Sequence, residues 1–354
     1  MPGLISLLSG LLLMSMSCLA DTSADWPGYK QRFVTAEGRV VDSFNKISHS
    51  EGQGWGMLFA QANDDPQTFE SMWRWTRKNL ARKDNRLFSW RYDSQSVPAV
   101  TDPNNASDGD ILIAWALHKA AQRWKNPNYA AASAAIRRDI HQLLVRQFAG
   151  YTVLLPGLSG FDSDHYVDIN LSYWVIPAFN DFAQLEPELQ WQALVRDGQK
   201  LLALCRFGEL KLPTDWIRLE QDAKVSPTPE KPSRFSYDAV RIPMYFVWGR
   251  ALTPELKQPF LAFWPQGQVI ADWVDVKSGE KANYPASSGI KAVQALLHGD
   301  SSFIAAQLKA EDDYYAASLL MLSKLAAQSV LTGPAHGQLT GKTTDLRQLP
   351  PGGP

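Results

Sequence analysis

Apolar residues recur at three- and four-residue intervals in about a dozen separate stretches of this chain, and most of these stretches come in consecutive pairs. They fall near residues 25–34, 53–62, 66–81, 109–124, 129–148, 171–185, 187–205, 237–251, 254–263, 288–297, 301–308 and 313–331. Short turns join the pairs: Asp64-Asp65 in one, Asn126-Pro127-Asn128 in another, Glu186 in a third. Pro66, Pro187 and Pro254 stand where a first helical turn tolerates proline, and Asp108 and Ser287 are expected as caps. Between the pairs lie irregular segments. Residues 86–92 alternate, 151–155 and 165–169 flank Pro156-Gly157 and Ser159-Gly160 as an expected hairpin, and 209–219 and 269–276 are further excursions. The Pro-rich stretch 226–233 reads as a surface loop, because the same helical pattern continues on both sides. Paired helices with insertions on one side predict an all-α fold: an α/α toroid, an (α/α)6 barrel of six inner and six outer helices. An irregular all-α array is the alternative.

Composition narrows the class. Charged residues at 20% and hydrophobic residues at 45% describe a folded chain, and a formal net charge of -1 gives no basic face for nucleic acid or anionic lipid. The 13 Trp among 354 residues have two readings, a Trp-rich core or stacking platforms for sugar rings. At the N-terminus, residues 4–16 are apolar and Ser17-Cys18-Leu19-Ala20 ends in a small-residue cleavage pattern, so residues 1–20 read as a signal peptide, although no Lys or Arg precedes the apolar run. Ser15-Met16-Ser17 makes a poor lipobox, which argues against a lipid anchor on Cys18. Cleavage near Ala20 leaves Cys205 alone, a small buried hydrophobe without a disulfide partner. One domain is expected over 21–331, and a flexible tail rich in Gly, Pro and Thr over 332–354.

Three segments place acids at helix starts. In Ser48-His49-Ser50-Glu51-Gly52-Gln53-Gly54-Trp55-Gly56-Met57, alternating glycines follow a Glu and allow a close approach of backbone or substrate. Glu51 either complements the helix dipole or, desolvated in a groove, has its pKa raised toward that of a general acid. Ala106-Ser107-Asp108-Gly109-Asp110 opens the next apolar helix and lacks the remaining ligands of a calcium loop. Phe235-Ser236-Tyr237-Asp238-Ala239-Val240-Arg241 puts an Asp and an Arg three apart on one expected helix face, which taken alone is an ordinary ion pair. The six His are scattered, His49 reads as a structural hydrogen-bonder, and no phosphate loop follows a strand. No cofactor or metal is therefore expected.

Together the three segments resemble glycoside hydrolase family 8. The Ala-Ser-Asp-Gly-Asp run, followed by Ile113-Ala114, Ala116-Leu117, Ala120 and Trp124, carries the resemblance, as do Ser-Tyr-Asp-Ala-x-Arg, Asn170-Leu171-Ser172-Tyr173, Thr214-Asp215-Trp216, Val274-Asp275-Val276 and Asp313-Tyr314-Tyr315. It covers residues 26 to about 331 and is strongest toward the periplasmic endoglucanases encoded with bacterial cellulose synthases. It implies an (α/α)6 barrel with an open groove and hydrolysis of β-1,4-glucan with inversion. Glu51 would be the proton donor, Asp238 the general base, and Asp108 a central-subsite acid that has also been described as a nucleophile. Tyr173 and one of Tyr314 or Tyr315 would position the water, and Arg241 would hold Asp238 or the substrate. Trp55, standing where those enzymes usually have Tyr, and Trp115 are the expected stacking surfaces. The expected setting is periplasmic or secreted, as a monomer, with a β-1,4-glucan as partner near a cellulose synthase complex. Chitosanase, mixed-linkage glucanase and xylanase activities are alternatives on the same fold. So is a non-catalytic glucan binder, although such a protein has no need to keep both acid and base.

Overall fold

The computed structural model describes residues 24–332. The leader expected at 1–20 and, beyond its first residue, the tail expected at 332–354 lie outside these residues. Among the described residues there are eleven α-helices: α1 (Trp26–Phe33), α2 (Ser50–Ala62), α3 (Pro66–Asn79), α4 (Ser107–Trp124), α5 (Pro127–Leu144), α6 (Ile176–Leu185), α7 (Trp191–Leu204), α8 (Arg241–Trp248), α9 (Pro254–Phe263), α10 (Ser288–His298) and α11 (Tyr314–Thr332).

Burial separates two layers. α2 is buried on nearly every face, whereas α3 buries one stripe, with Phe69, Met72, Trp73 and Thr76 at helical spacing. α2 packs on α4, α4 on α6, α6 on α8, and α8 on both α10 and α11, and α11 returns to α2. α3, α5, α7 and α9 lie outside this ring. α1 adds to the outer layer through Tyr29, whose ring meets Phe59 edge-on and whose hydroxyl meets Ser318 at 3.0 Å. The sixth outer position, expected as a helix over 301–308, is a single 3-10 turn, Ser302–Ala305. The architecture is thus the (α/α)6 barrel that the paired pattern predicts.

Caps explain where the helices begin. Asp65 accepts the Thr68 N–H ahead of Pro66, Thr253 accepts that of Leu256 ahead of Pro254, and Ser287 accepts that of Ile290. Other expected boundaries are corrected. α7 begins at Trp191, not Pro187. Asp108 is not a cap; Ala106 holds that position and Asp108 lies in the first turn. α5 ends at Leu144, four residues early, because the strand Val145–Phe148 turns through Ala149-Gly150, both at positive φ, into the strand Tyr151–Leu154. The hairpin expected between 151–155 and 165–169 is therefore absent. Instead, strand Tyr166–Ile169 pairs with Ile217–Glu220, a partner far along the chain that no local turn signal reveals.

Further short strands sit at the rim where the inner helices begin. Ile47–His49, paired with Arg91–Asp93, leads into α2. Arg234–Phe235, paired with Val274–Asp275, leads into the turn before α8. This rim therefore collects residues from several inner-helix N-termini.

Candidate active site

Two helices must approach closely to bring their first turns together, and glycine permits it. A Cβ on Gly109 of α4 would lie 2.1 Å from Ser50 Oγ and 2.7 Å from the Glu51 nitrogen, and one on Gly54 would lie 2.5 Å from Leu112 Cβ. Of the alternating glycines, Gly54 serves the approach to α4, while Gly52 makes room for the Tyr314 hydroxyl and Gly56 for Val40 and Met72, and the approach sets Glu51 of α2 against Asp108 of α4. His49 fixes the start of α2 by accepting the Gly52 N–H on Nδ1 at 3.2 Å. Burial pushes its ring down to about 4, so it stays a neutral acceptor.

The third acid comes from the turn before α8. Asp238 was expected inside a helix, but α8 starts only at Arg241. Their three-residue spacing still closes an ion pair of 3.1 Å between Asp238 Oδ1 and Arg241 Nη2. The same Nη2 lies 3.1 Å from Glu51 Oε1 and 3.7 Å from Asp108 Oδ2, so one buried guanidinium faces all three carboxyls. Asn170 donates to Asp238 Oδ2 at 3.0 Å, and Ser172, which also bonds Asn170, accepts from Arg241 at 3.1 Å.

The three acids differ in environment. Burial raises Glu51 well above the usual carboxyl range; Arg241 opposes this, and the charges of Asp108 and Asp238 add to it. The Glu51 and Asp108 side chains also act on each other directly, raising Glu51 and lowering Asp108, so a proton held by the pair is favoured on Glu51. Asp108 is raised as well, again by burial, with Arg241 and the bond from Glu51 pulling the other way. Asp238 is the most open of the three, its side chain 29% exposed against 15% for Glu51 and 4% for Asp108. Burial works against the charge on Arg241, but Glu51, Tyr315, Asp238 and Asp108 hold it protonated.

The expected tyrosines divide. Burial, followed by the charges of Asp108, Asp238 and Glu51, raises the Tyr173 hydroxyl well above its usual value, placing it among the acids. Tyr315 lies within the field of Arg241, Glu51 and Asp238 and donates its hydroxyl to the Tyr237 carbonyl. Tyr314 is buried and stacks on Trp55. The two expected tryptophans are corrected. Trp55 is 0% exposed; it lies behind Arg241, 5.7 Å from ring centroid to guanidinium, and donates to the Tyr245 hydroxyl at 3.1 Å. Trp115 is 2% exposed, two helical turns from Asp108, and donates to Asp181 at 2.6 Å. Both belong to the core reading of the Trp surplus.

Partly exposed aromatics sit on the rim loops instead. Trp216 stacks on Phe161 at 5.5 Å and meets Tyr173 edge-on at 6.0 Å. Tyr284 links the Tyr237 hydroxyl, 2.8 Å away, to the Trp273 indole, 3.2 Å away. Trp90 is next to Glu51 in space, since its carbonyl accepts the Ser50 N–H at 3.0 Å. Sequence reasoning passed over these residues, together with Asn170 and Asp215 as individuals, although the quoted motifs contain Asn170, Asp215 and Trp216. Among the described residues, no group of three or more His, Cys, Asp or Glu side chains could hold a metal ion.

Comparison with known proteins places this arrangement. The family described as glycosyl hydrolases family 8 matches residues 3–329. A probable endoglucanase of Novacetimonas hansenii is 38% identical over 324 residues, 89% of this chain and 95% of that protein. An endoglucanase of Cellulomonas uda is 40% identical over 281 residues, 78% of this chain and 77% of that one. The crystal structure of a family 8 endoglucanase from Klebsiella pneumoniae superposes with a TM-score of 0.82 at 40% identity, covering 87% of this chain and 99% of that one.

Proposed function

The chain belongs to glycosyl hydrolases family 8 and is an endoglucanase, and from that premise we propose that it cuts internal β-1,4 bonds of a glucan with inversion, Glu51 as acid and Asp238 as base. The observation that carries this reading is the unequal burial of the three carboxyls that share Arg241. Glu51, raised by burial and by the neighbouring carboxyls of Asp108 and Asp238, is suited to give a proton to the leaving oxygen. Asp238, open to the groove and oriented by Asn170 and Arg241, is placed to take one from water. Arg241 stands between them, its Nη2 3.1 Å from an oxygen of each. Asp108 then acts on sugar hydroxyls rather than as a nucleophile, because inversion forms no covalent intermediate. Tyr173 is the residue best placed to orient the water. Trp90, Trp216 and Trp273 offer the stacking faces that Trp55 and Trp115 do not.

Proton NMR of the first products from a soluble β-glucan tests the reading. α-Configured reducing ends are expected before mutarotation, and β-configured ends would return Asp108 as a nucleophile. A fall in carboxymethylcellulose viscosity that outpaces the appearance of reducing ends tests internal cutting, and a panel including chitosan, xylan and mixed-linkage glucan tests the substrate. We further place the enzyme outside the cytoplasm as a monomer, periplasmic or secreted after cleavage near Ala20, acting on glucan near a cellulose synthase complex. The apolar segment at 4–16 supports the export, and N-terminal sequencing of exported protein checks it.

A further inference from the structure

Asp215 has no part in the reaction just described, yet it lies half-buried against the segment that carries the base. Its backbone N–H is tied to the Arg234 carbonyl at 2.8 Å. Its Oδ1 accepts the N–H of Ser236 at 3.0 Å and that of Ala239 at 2.8 Å, and its Oδ2 accepts the Ser236 hydroxyl. These donors bracket Asp238. The turn they belong to is short, with Val240 N–H on the Ser236 carbonyl and Arg241 N–H on the Asp238 carbonyl, each at 3.0 Å. α8 has no side-chain cap of its own, since its cap position is Val240. A carboxyl from a distant strand segment therefore does what a local Asp or Ser does at other helix starts.

We propose that Asp215 is a positioning residue for the base: its carboxyl clamps the Ser236–Ala239 turn and thereby aims Asp238 between Asn170 and Arg241. This rests on Asp238 being the base. Backbone N–H groups on both sides of Asp238 are satisfied by one side chain, so losing that side chain frees the turn at the point where it must be stiff. A catalytic group displaced by about 1 Å costs on the order of 10²-fold in rate. The charged and titratable groups facing the clamp and its turn are Asp238, Arg241, Glu51 and Asp108 from the barrel side, Tyr173 from the segment after Tyr166–Ile169, Tyr237 on the turn itself with Tyr315 of α11 bonded to its carbonyl and Tyr284, Asp272 and Asp313 about its ring, and Arg234 and Lys231 from the segment before it. Burial, with the Asp238 charge second, pushes Asp215 up to about 7, so on mild acidification the clamp takes up a proton. An amide is then a close copy of it. Its oxygen accepts the two N–H groups, and its nitrogen donates to Ser236 Oγ.

The test compares Asp215→Ala, Asp215→Asn and Asp238→Asn on a soluble β-glucan. Asp215→Ala should lower kcat about 100-fold with KM within about twofold, since the turn moves the base and not the sugar subsites. Asp215→Asn should recover kcat to within about fivefold of the wild type, because every bond is remade. A folded Asp215→Ala enzyme with wild-type kcat overturns the proposal, and so does an Asp215→Asn enzyme as slow as Asp215→Ala. If Asp215→Ala does not fold, Ser236→Ala replaces it. Reduced kcat at constant KM then supports the clamp, and unchanged kcat overturns it. An active Asp238→Asn enzyme would overturn the base assignment and the clamp together. An inactive Asp238→Asn enzyme beside a fully active Asp215→Ala enzyme would remove the clamp alone.

Discussion

At the scale of single residues, one guanidinium carries too little charge to neutralise the three carboxylates that share it, which favours a proton in the site. Burial and the neighbouring carboxyl of Asp108 favour it on Glu51. Glu51→Gln should therefore lower kcat by roughly 10²–10⁴-fold with little change in KM, a loss read directly from steady-state kinetics. Activity requires protonated Glu51, so wild-type kcat should fall as pH rises through its elevated value. Stability carries the same sign. Glu51, Asp110 and Asp215 are all raised in the fold, mainly by burial. Between ordinary carboxyl values and the raised ones the native state binds more protons than the unfolded chain, so stability is full at the acid end and falls as pH rises. For Asp215 the window runs from about 4 to about 7. Thermal melts across it should show a declining Tm, and Asp215→Asn should flatten the slope.

At the scale of elements, the close approach of α2 and α4 is what makes two carboxyls into one proton-sharing unit. Gly109→Ala would drive a methyl into Ser50 and the Glu51 backbone. It should cost about 1–3 kcal/mol in urea unfolding, as overpacking does, and it should lower kcat as well because Glu51 moves with the backbone. These elements also show what a reader of the sequence can see. The helix pairs, the prolines that open α3 and α9, the cap at Ser287 and the acids at helix starts are local signals. The joining of Tyr166–Ile169 to Ile217–Glu220 and the clamp of Asp215 on Ser236 and Ala239 depend on partners distant in the chain or on a turn's shape, which periodicity does not encode. The tryptophans misled for a related reason. On helices as fully buried as α2 and α4, no polar face marks which aromatic reaches a surface, and those that do stand on loops without periodicity.

At the scale of the whole molecule, the ring is fastened by a buried ion pair. Lys324 of α11 bonds Asp25 and the Ala306 carbonyl, and Asp25 also accepts the Leu308 N–H at 2.8 Å. Both partners of the pair are 2% exposed in their side chains. Lys324→Met should leave Asp25 as a lone buried charge and cost about 3–5 kcal/mol, measured by urea denaturation. Adding Asp25→Asn should return much of that. The fastening joins opposite ends of the ring and so gives synthesis a direction. A growing chain already displays Glu51, Asp108 and Asp238 while Asp25 still waits for a lysine about 300 residues later. The helix that brings that lysine also brings Tyr314 and Tyr315. A chain cut short before Tyr314 lacks both that lysine and Tyr315, and it should release no reducing ends from a soluble β-glucan.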